Sequence, residues 1–341
     1  MTLITVIIVN YNSGVRLARA LDCLAAQSFT DFETIVIDNA SSDDSLERAR
    51  RSGLPVKFIE AGSNLGFAAA NNRAAEQSSG QWLAFLNPDA YATPGWLAAL
   101  VAASERYPFA DAFGSTQVDA ADPTKIDGAG DVYHVLGIPY RGHFGWPVAS
   151  LPAEGECFAP CAAAALYRRS TFLALGGFDE DFFCYGEDVD LGFRLRLAGG
   201  RAVQVRDAVV HHEGSAVTGR YSDFTIYHGN RNRIWTLWQN MPSLFFWPLL
   251  PIQIGANLYL LARSWSVGRA APYWRALRDG YGAMARLARK RRRNLRARKA
   301  SLRSLARALT WSPLKVSRRA ADLKPLDEAG VGASRRPSEA L

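Results

Sequence analysis

An α/β fold, a mostly parallel sheet with helices on both faces, is what this sequence of 341 residues predicts. Three observations carry the reading. Apolar, β-branched runs recur in the manner of strands buried on both faces. Segments of helical period separate them at the spacing of βαβ units. Each proposed strand also ends in Asp, Asn or Gly, at the edge where open parallel sheets bind their ligands.

The elements follow in order. "LITVIIV" (3–9) is the first strand, and "VRLARALDCLAAQ" places Leu17, Leu21 and Leu24 on one helical face. "FETIVID" (32–38) is a second strand, and "SSDDSLERARRSG" is a helix with a Ser cap, early acidic charges and Gly53 near its end. "VKFIEA" (56–61) and "QWLAFLN" (81–87) are further strands, separated by the helical "FAAANNRAAEQ". "TPGWLAALVAASERY" starts another helix, with Pro94 near its first turn. Beyond about residue 110 the rhythm breaks into Gly, Pro and Asp loops (119–160), the apolar run "CAAAALYRR", a helix from Glu187 and a strand pair around 202–212.

Composition narrows the class. The chain is 48% hydrophobic and 21% charged, with 9 Trp and 17 Phe, as a globular protein is. The net charge of +8 comes from one block: residues 280–321 hold 14 Lys or Arg and no acid, leaving 26 basic against 32 acidic residues elsewhere. That distribution argues against general nucleic-acid binding, and "RKRRR" (289–293) has no aromatic stacking platform beside it. Cys23, Cys157, Cys161 and Cys184 match no zinc or redox spacing, so reduced thiols in a cytosolic compartment are expected. No basic stretch precedes the first apolar run, so no signal peptide is expected. Residues 244–262 carry no charge over nineteen positions, but two prolines, Gln253 and Asn257 make a poor spanning helix. Followed by the basic block, they predict an interfacial anchor on an anionic leaflet; the alternative is a buried helical hairpin with an incidental basic tail.

The strand ends carry the chemistry. They read "VNYNSG" (9–14), "IDNASSD" (37–43) and "LNPDA" (86–90), with "GSNLGFAAANN" (62–72) after the third strand. Turn chemistry explains any one of them; four in register at sheet ends predict a site. No G-x-G-x-x-G follows the first strand and no Walker lysine is present, which leaves a nucleotide site without a glycine-rich phosphate loop. There a divalent metal must neutralise the diphosphate, and Asp89 offers a hard oxygen ligand. In "FCYGEDVD" (183–190), Asp190 precedes Arg194 by four residues, which predicts a surface ion pair. Glu187 and Asp188 occupy the first turn of the helix, where the dipole alone favours acids.

Taken together, "TVIIVNYNSG", "IVIDNASSDDS", "NLGFAAANN", "LNPDA", "GGFDEDFFCYGEDVDLGFRLRLAG" and "HHEGSA" resemble family 2 glycosyltransferases of the GT-A (Rossmann-like) fold, most of all the rhamnosyltransferase-like branch, over about residues 1–240. "RNRIW" (231–235) is similar to that branch too.

The resemblance implies roles. Asp38 would bind the donor base, lined by the backbone near Val9 and Tyr11, while Asn64, Gly66 and Asn71 would contact ribose and diphosphate. Asp89 would stand at the DxD-type metal position, for Mg²⁺ or Mn²⁺. Asn87 replaces the first Asp of that motif, and Asn87-Pro88 also suits a rigid turn. Of the histidine pair, His211 would be the extra metal ligand, and Arg231 and Arg233 would balance diphosphate charge or form a solvated helix face. Asp188 would be the general base and Glu187 an acceptor contact. Ala162, where the family has glycine, would narrow the acceptor site.

The expectation is an inverting, metal-assisted transferase. It would move a sugar, L-rhamnose from dTDP-rhamnose first, onto a saccharide or polyprenyl-linked acceptor of surface polysaccharide. It would act in the cytoplasm, peripheral on the inner membrane face and in contact with the membrane surface. The alternatives are another UDP- or GDP-sugar, a non-catalytic nucleotide-sugar or saccharide scaffold, and a nucleotidyltransferase. The expected organisation is a GT-A domain at 1–240 (nucleotide-sugar half 1–110, acceptor half 111–240), a helical, membrane-associating basic extension at 241–317 and a disordered tail at 318–341.

Overall fold

The computed structural model describes residues 2–214, 219 and 222–326. The parallel half contains β1 (Ile4–Asn10), α1 (Arg16–Ala25), β2 (Phe32–Asp38), α2 (Ser45–Arg50), β3 (Val56–Glu60), α3 (Gly66–Glu76), β4 (Trp82–Leu86), β5 (Ala90–Ala92) and α4 (Trp96–Arg106). After it come β6 (Ala112–Asp119), β7 (Ile126–Gly128), β8 (Asp131–His134), β9 (Ile138–Arg141), β10 (Gly155–Glu156), β11 (Ala164–Arg168), α5 (Arg169–Ala174), α6 (Glu187–Leu197) and β12 (Ala202–His212). Six further helices close the fold: α7 (Asp223–Asn240), α8 (Ser243–Ser266), α9 (Ala270–Gly282), α10 (Met284–Arg296), α11 (Leu302–Ala308) and α12 (Pro313–Arg318).

The ten-stranded sheet runs β10-β12-β6-β11-β4-β1-β2-β3, with β5 and β7 pairing off the path. β3, β2, β1 and β4 are parallel neighbours, as the sequence predicts. β11 then inserts antiparallel between β4 and β6, so the sheet is mixed rather than parallel throughout. All seven residues of β1 are buried, which is why its sequence shows no alternation. The chain leaves β1 toward β2 and returns to β4 on the opposite side, so the strand order reverses beside the C-terminal end of β1.

Several local expectations change. α2 begins after Asp44 with no side-chain cap, because Ser45 turns back to the Asp43 carboxylate instead. The strand pair expected near 202–212 is one strand, β12, with a register shift between Val205 and Val209. The uncharged stretch 244–262 lies within one 24-residue helix, α8. Within the expected disordered tail, residues 319–326 are ordered: Lys324 bridges antiparallel to Glu156, and Leu323 packs against the core beside Gly130 and Gly155. The remainder of that tail, 327–341, lies outside the described residues, as does the end of "HHEGSA".

Candidate active site

The ends of β1, β2 and β4 meet at the switch point. Asn10, fully buried, donates through Nδ2 to Asp38 Oδ1 at 2.7 Å and to the Ser45 hydroxyl at 2.9 Å. The Ser41 hydroxyl also donates to Asp38 Oδ1 at 2.7 Å, and the Ser41 amide donates to Oδ2 at 3.0 Å. Three of the four lone-pair positions on the Asp38 carboxylate are thus committed, which fixes its plane and leaves one acceptor position on Oδ2. Val9 is buried beside it and Tyr11 is 40% exposed.

Asn64, Asn71 and Arg231 spend their side-chain hydrogen bonds on nearby backbone. Asn64 is exposed and accepts from the Gly66 amide at 2.9 Å, a local turn. Asn71 is buried and donates to the Phe67 carbonyl at 2.9 Å inside α3. Arg231 stacks 4.1 Å above Trp235 and donates to the Phe182 carbonyl at 3.1 Å, so it braces a loop. Gly66 has φ +79°, and a Cβ there would lie 2.5 Å from the Phe183 ring, so glycine serves chain-to-chain approach at this position.

Opposite the switch point lies a cleft of about 560 Å³, lined by Asn87, Asp131, Arg141, Glu187, Asp188 and Arg233 among others. Its floor is the N-terminus of α6. Asp188 Oδ2 accepts from the Ala162 amide at 3.0 Å and Oδ1 from its neighbour's amide at 2.8 Å, so both oxygens are held in direction. Glu187 is buried and its Oε2 has no hydrogen-bond partner. Burial first, and then the charge of Asp188, push the Glu187 carboxyl well above the usual range, which favours its proton-bearing form. Burial, again with Asp188, raises Asp131 in the same way. Ligand atoms of Asp131, Cys161 and Asp188 lie within 4.8 Å of one another.

The loop carrying these acids to the cleft is unusual. Phe183, Tyr185 and Gly186 have φ of +64°, +71° and +83°, a conformation costly for the two aromatic residues. Asn232, fully buried on α7, holds it: its Nδ2 approaches the carbonyls of Phe182, Cys184 and Tyr185 at 3.0, 2.9 and 2.7 Å. From the other side, the Phe183 carbonyl accepts from the Phe67 amide at 2.6 Å. The aromatic run therefore divides. Phe182 is core, Phe183 packs on Phe224 and His228, and Tyr185 faces the cleft. Asp190 does pair with Arg194, at 2.7 Å, but the pair is buried rather than at the surface, and Asn240 donates to the remaining oxygen at 2.7 Å.

At the metal position, Asp89 is buried, and its partner is His212, not His211. His212 Nε2 lies 3.4 Å from Asp89 Oδ1, and its Nδ1 lies 2.7 Å from Asp127 Oδ2. The reason is the irregularity in β12. Three extra residues between Val205 and Val209 invert the alternation, so Val203, Val205, Ala208 and Val210 all join one core cluster and His212 continues that face. The ring is fixed between two carboxylates, with Nδ1 at Asp127 and Nε2, a buried atom with no hydrogen bond, beside Asp89. These two side chains fit a hard or borderline divalent ion. Asp127 in turn pairs with Arg141, which lines the cleft.

Sequence reasoning missed Asn10, Asp127, Asp131 and Asn232, and of the histidine pair it preferred His211. The signal for Asn10 was present, a polar residue ending a wholly apolar strand. The two Asp residues lie on the short strands β7 and β8, within a stretch whose sequence reads as loop.

Residues 5–175 match the family model described as "Glycosyl transferase family 2". The N-acetylglucosaminyl-diphospho-decaprenol L-rhamnosyltransferase of Mycobacterium tuberculosis (strain ATCC 25618 / H37Rv) is 33% identical over 240 residues, covering 63% of this chain and 77% of that protein. The O-antigen biosynthesis protein RfbC of Myxococcus xanthus is 30% identical over 230 residues, covering 62% of this chain and 17% of that protein. Among solved structures, S. aureus TarS 1-349 in complex with UDP-GlcNAc superposes with a TM-score of 0.54 at 17% identity, covering 86% of this chain and 89% of that one. The mannosyltransferase PcManGT from Pyrobaculum calidifontis, in complex with GDP-Man and Mn²⁺, gives 0.50 at 21%, covering 89% and 77%. These two likenesses speak for the GT-A fold alone. With a family model matched across half its length and a 33% identical relative mostly spanned, this chain belongs to glycosyl transferase family 2 and is a glycosyltransferase.

Proposed function

We propose that this enzyme transfers L-rhamnose from dTDP-L-rhamnose, with inversion, to a polyprenyl-diphosphate-linked saccharide at the cytoplasmic face of the membrane. The carrying observation is Asp188, aimed into the cleft by two backbone amides at the start of α6. The rhamnosyl donor and lipid-linked acceptor are inferred from the relative that acts on a decaprenol-linked saccharide.

In this reading the acceptor hydroxyl lies against Asp188. Its oxygen forms a bond to the anomeric carbon as the carbon–diphosphate bond breaks, and the bonding pair leaves with the nucleoside diphosphate. Asp188 takes the hydroxyl proton, which becomes acidic only as the new bond forms. Glu187, proton-bearing, donates a hydrogen bond to another acceptor oxygen. Asp38 accepts from the donor base, with Val9 and Tyr11 around it. Asn87 and Asp89 face the diphosphate, and Arg233 and Arg141, unlike Arg231, are among the cleft-lining cations. Asp89 and His212 are the residues that would hold Mg²⁺ or Mn²⁺, which when bound neutralises the departing diphosphate.

The test is turnover of a panel of nucleotide sugars by the purified chain, with and without a lipid-linked saccharide. dTDP-rhamnose should be consumed fastest, and acceptor should accelerate it. Preferential consumption of a UDP- or GDP-sugar would sink the rhamnosyl assignment.

A further inference from the structure

α8 presents two incompatible faces. Leu244, Trp247, Pro251, Ile254 and Leu258 succeed one another at three- and four-residue intervals, and all are exposed, Leu244 by 66% and Trp247, like Leu258, by 56%. They form one stripe along a helix of 24 residues, roughly 36 Å at 1.5 Å per residue. The opposite face buries Phe246, Gln253 and Asn257. Asn257 Oδ1 accepts from Arg233, and its Nδ2 donates to Tyr281 at 2.7 Å; Tyr281 in turn donates to Gln253 at 2.7 Å. Arg233 also donates to the Tyr273 hydroxyl at 2.8 Å.

Length and composition alone would let α8 cross a membrane. The buried face forbids it. Asn257 lies past the middle of α8, so a spanning pose would draw Arg233 and Asp279-bearing α9 into the hydrocarbon. Arg233 belongs to α7, which also carries Asn232 under the catalytic loop and Asn240 against Asp190. α7 cannot enter a bilayer without taking the active site with it.

Resting on the lipid-linked acceptor of the preceding reading, we infer that α8 lies flat in the headgroup region of an anionic bilayer, as an in-plane helix mounted on the catalytic domain by Gln253 and Asn257. Three features fit that one occupant. The stripe is apolar with Trp and Tyr at its flanks, including Tyr259 at 62% and Trp265 at 77% exposure. The basic helix α10 is bonded to the start of α8, Arg291 donating to the Met241 carbonyl at 3.0 Å and to Ser243 Oγ at 3.1 Å. Its neighbours Arg289, Arg292, Arg293 and Arg296 are exposed and suit acidic headgroups. The cleft also reaches α8: Leu260, on the side packed toward Ile234 and Tyr273, lines it together with Arg233. An acceptor's lipid tail leaving the cleft would therefore pass beside the helix that lies in the interface.

The experiment uses the full chain and sealed vesicles of phosphatidylcholine with or without phosphatidylglycerol. Sedimentation should require phosphatidylglycerol and fall at least about tenfold in the triple variant Trp247→Glu, Ile254→Glu, Leu258→Glu, which still hydrolyses nucleotide sugar at the parent rate. In Leu244→Cys and Trp265→Cys chains bound to the outside of vesicles, a membrane-impermeant thiol reagent should treat the two positions alike, read by peptide mass. Labelling of one end with protection of the other until detergent is added means a spanning helix and overturns the inference. So does unchanged sedimentation of the triple variant, or equal binding to vesicles of phosphatidylcholine alone. Vesicle binding without turnover of any nucleotide sugar would instead refute the preceding functional reading and leave this one standing.

Discussion

The two walls of the site are built on opposite principles. On the side proposed for the donor, Asn10 and Ser41 fill three of the four lone-pair positions of Asp38, and Asn10 itself is bound to Asp38, Ser41, Ser45 and Ser13. On the acceptor side, Glu187 keeps a buried oxygen without a partner, and Asp131 and Asp188 crowd within a few ångströms. A satisfied network is rigid and stabilising, whereas a buried unpaired carboxyl costs stability and is retained where it acts. The difference teaches where binding is pre-set and where chemistry is poised: donor recognition needs fixed acceptors, and the acceptor side keeps an unpartnered Glu187 carboxyl beside an Asp188 aimed by two backbone amides.

The comparison breaks most visibly at Asp188. In Asp188→Asn, kcat should fall by about 10²–10⁴, the usual worth of a general base, with nucleotide-sugar affinity by calorimetry within about twofold of the parent. Asp38→Asn should do the reverse, weakening donor affinity with smaller loss of kcat at saturation. If both variants lose affinity equally, the two walls are not functionally distinct.

Asp127 sharpens the same contrast between them. It touches no substrate position but fixes His212 through Nδ1 at 2.7 Å. Asp127→Asn should weaken Mn²⁺ binding by about 10–100-fold, as loss of an outer-shell carboxylate does, measured by calorimetry on the folded variant. Unchanged Mn²⁺ affinity would make the Asp127–His212 pair purely structural.

Which parts were legible in the sequence follows the same division. β1, β2 and α6 run where their local patterns put them, because burial on both faces and a Gly-acid helix start are local signals. The positions of Asp38 and Asp89 at strand ends were readable for the same reason. The loop before α6 and the setting of His212 depend on contacts distant along the chain. Asn232 reaches back 50 residues to Phe182, and Asp127 meets His212 across 85. Neither spacing leaves a periodic trace. His211 was favoured over His212 because a register shift in β12 cannot be seen in a run of Val and Ala. Asn71 and Arg231 misled for a related reason: a motif places a residue on an element, but packing decides whether the side chain faces a ligand or its own backbone.

Asn232 tests how the poised wall is held. Asn232→Ala leaves up to three carbonyls of a left-handed loop without their donor, which should lower stability by about 1–3 kcal/mol. Because that loop aims Asp188, kcat should also drop while KM for the donor stays near the parent value. A stability loss with unchanged kcat would reduce Asn232 to a packing role, and Asn232→Asp, which keeps the shape but removes the donor, should behave like Asn232→Ala rather than rescue it.

The smallest expected effect lies at Glu187, where two influences compete. The start of α6 favours the ionised carboxylate, whereas burial and the adjacent Asp188 favour the protonated one. The raised value means burial prevails. Its consequence for stability has a definite sign. The folded state then keeps a proton that the unfolded chain loses near an ordinary glutamate pKa of about 4.3, so folding binds protons and stability declines as pH rises from there toward the raised value. Glu187→Gln cannot ionise and escapes that decline. The Tm of the variant minus that of the parent should therefore grow as pH is raised above the ordinary carboxylate range, and level off once the parent's Glu187 has ionised. Parallel Tm curves would mean that Glu187 titrates normally, and the contrast between a satisfied donor wall and a poised acceptor wall would then rest on Asp188 alone.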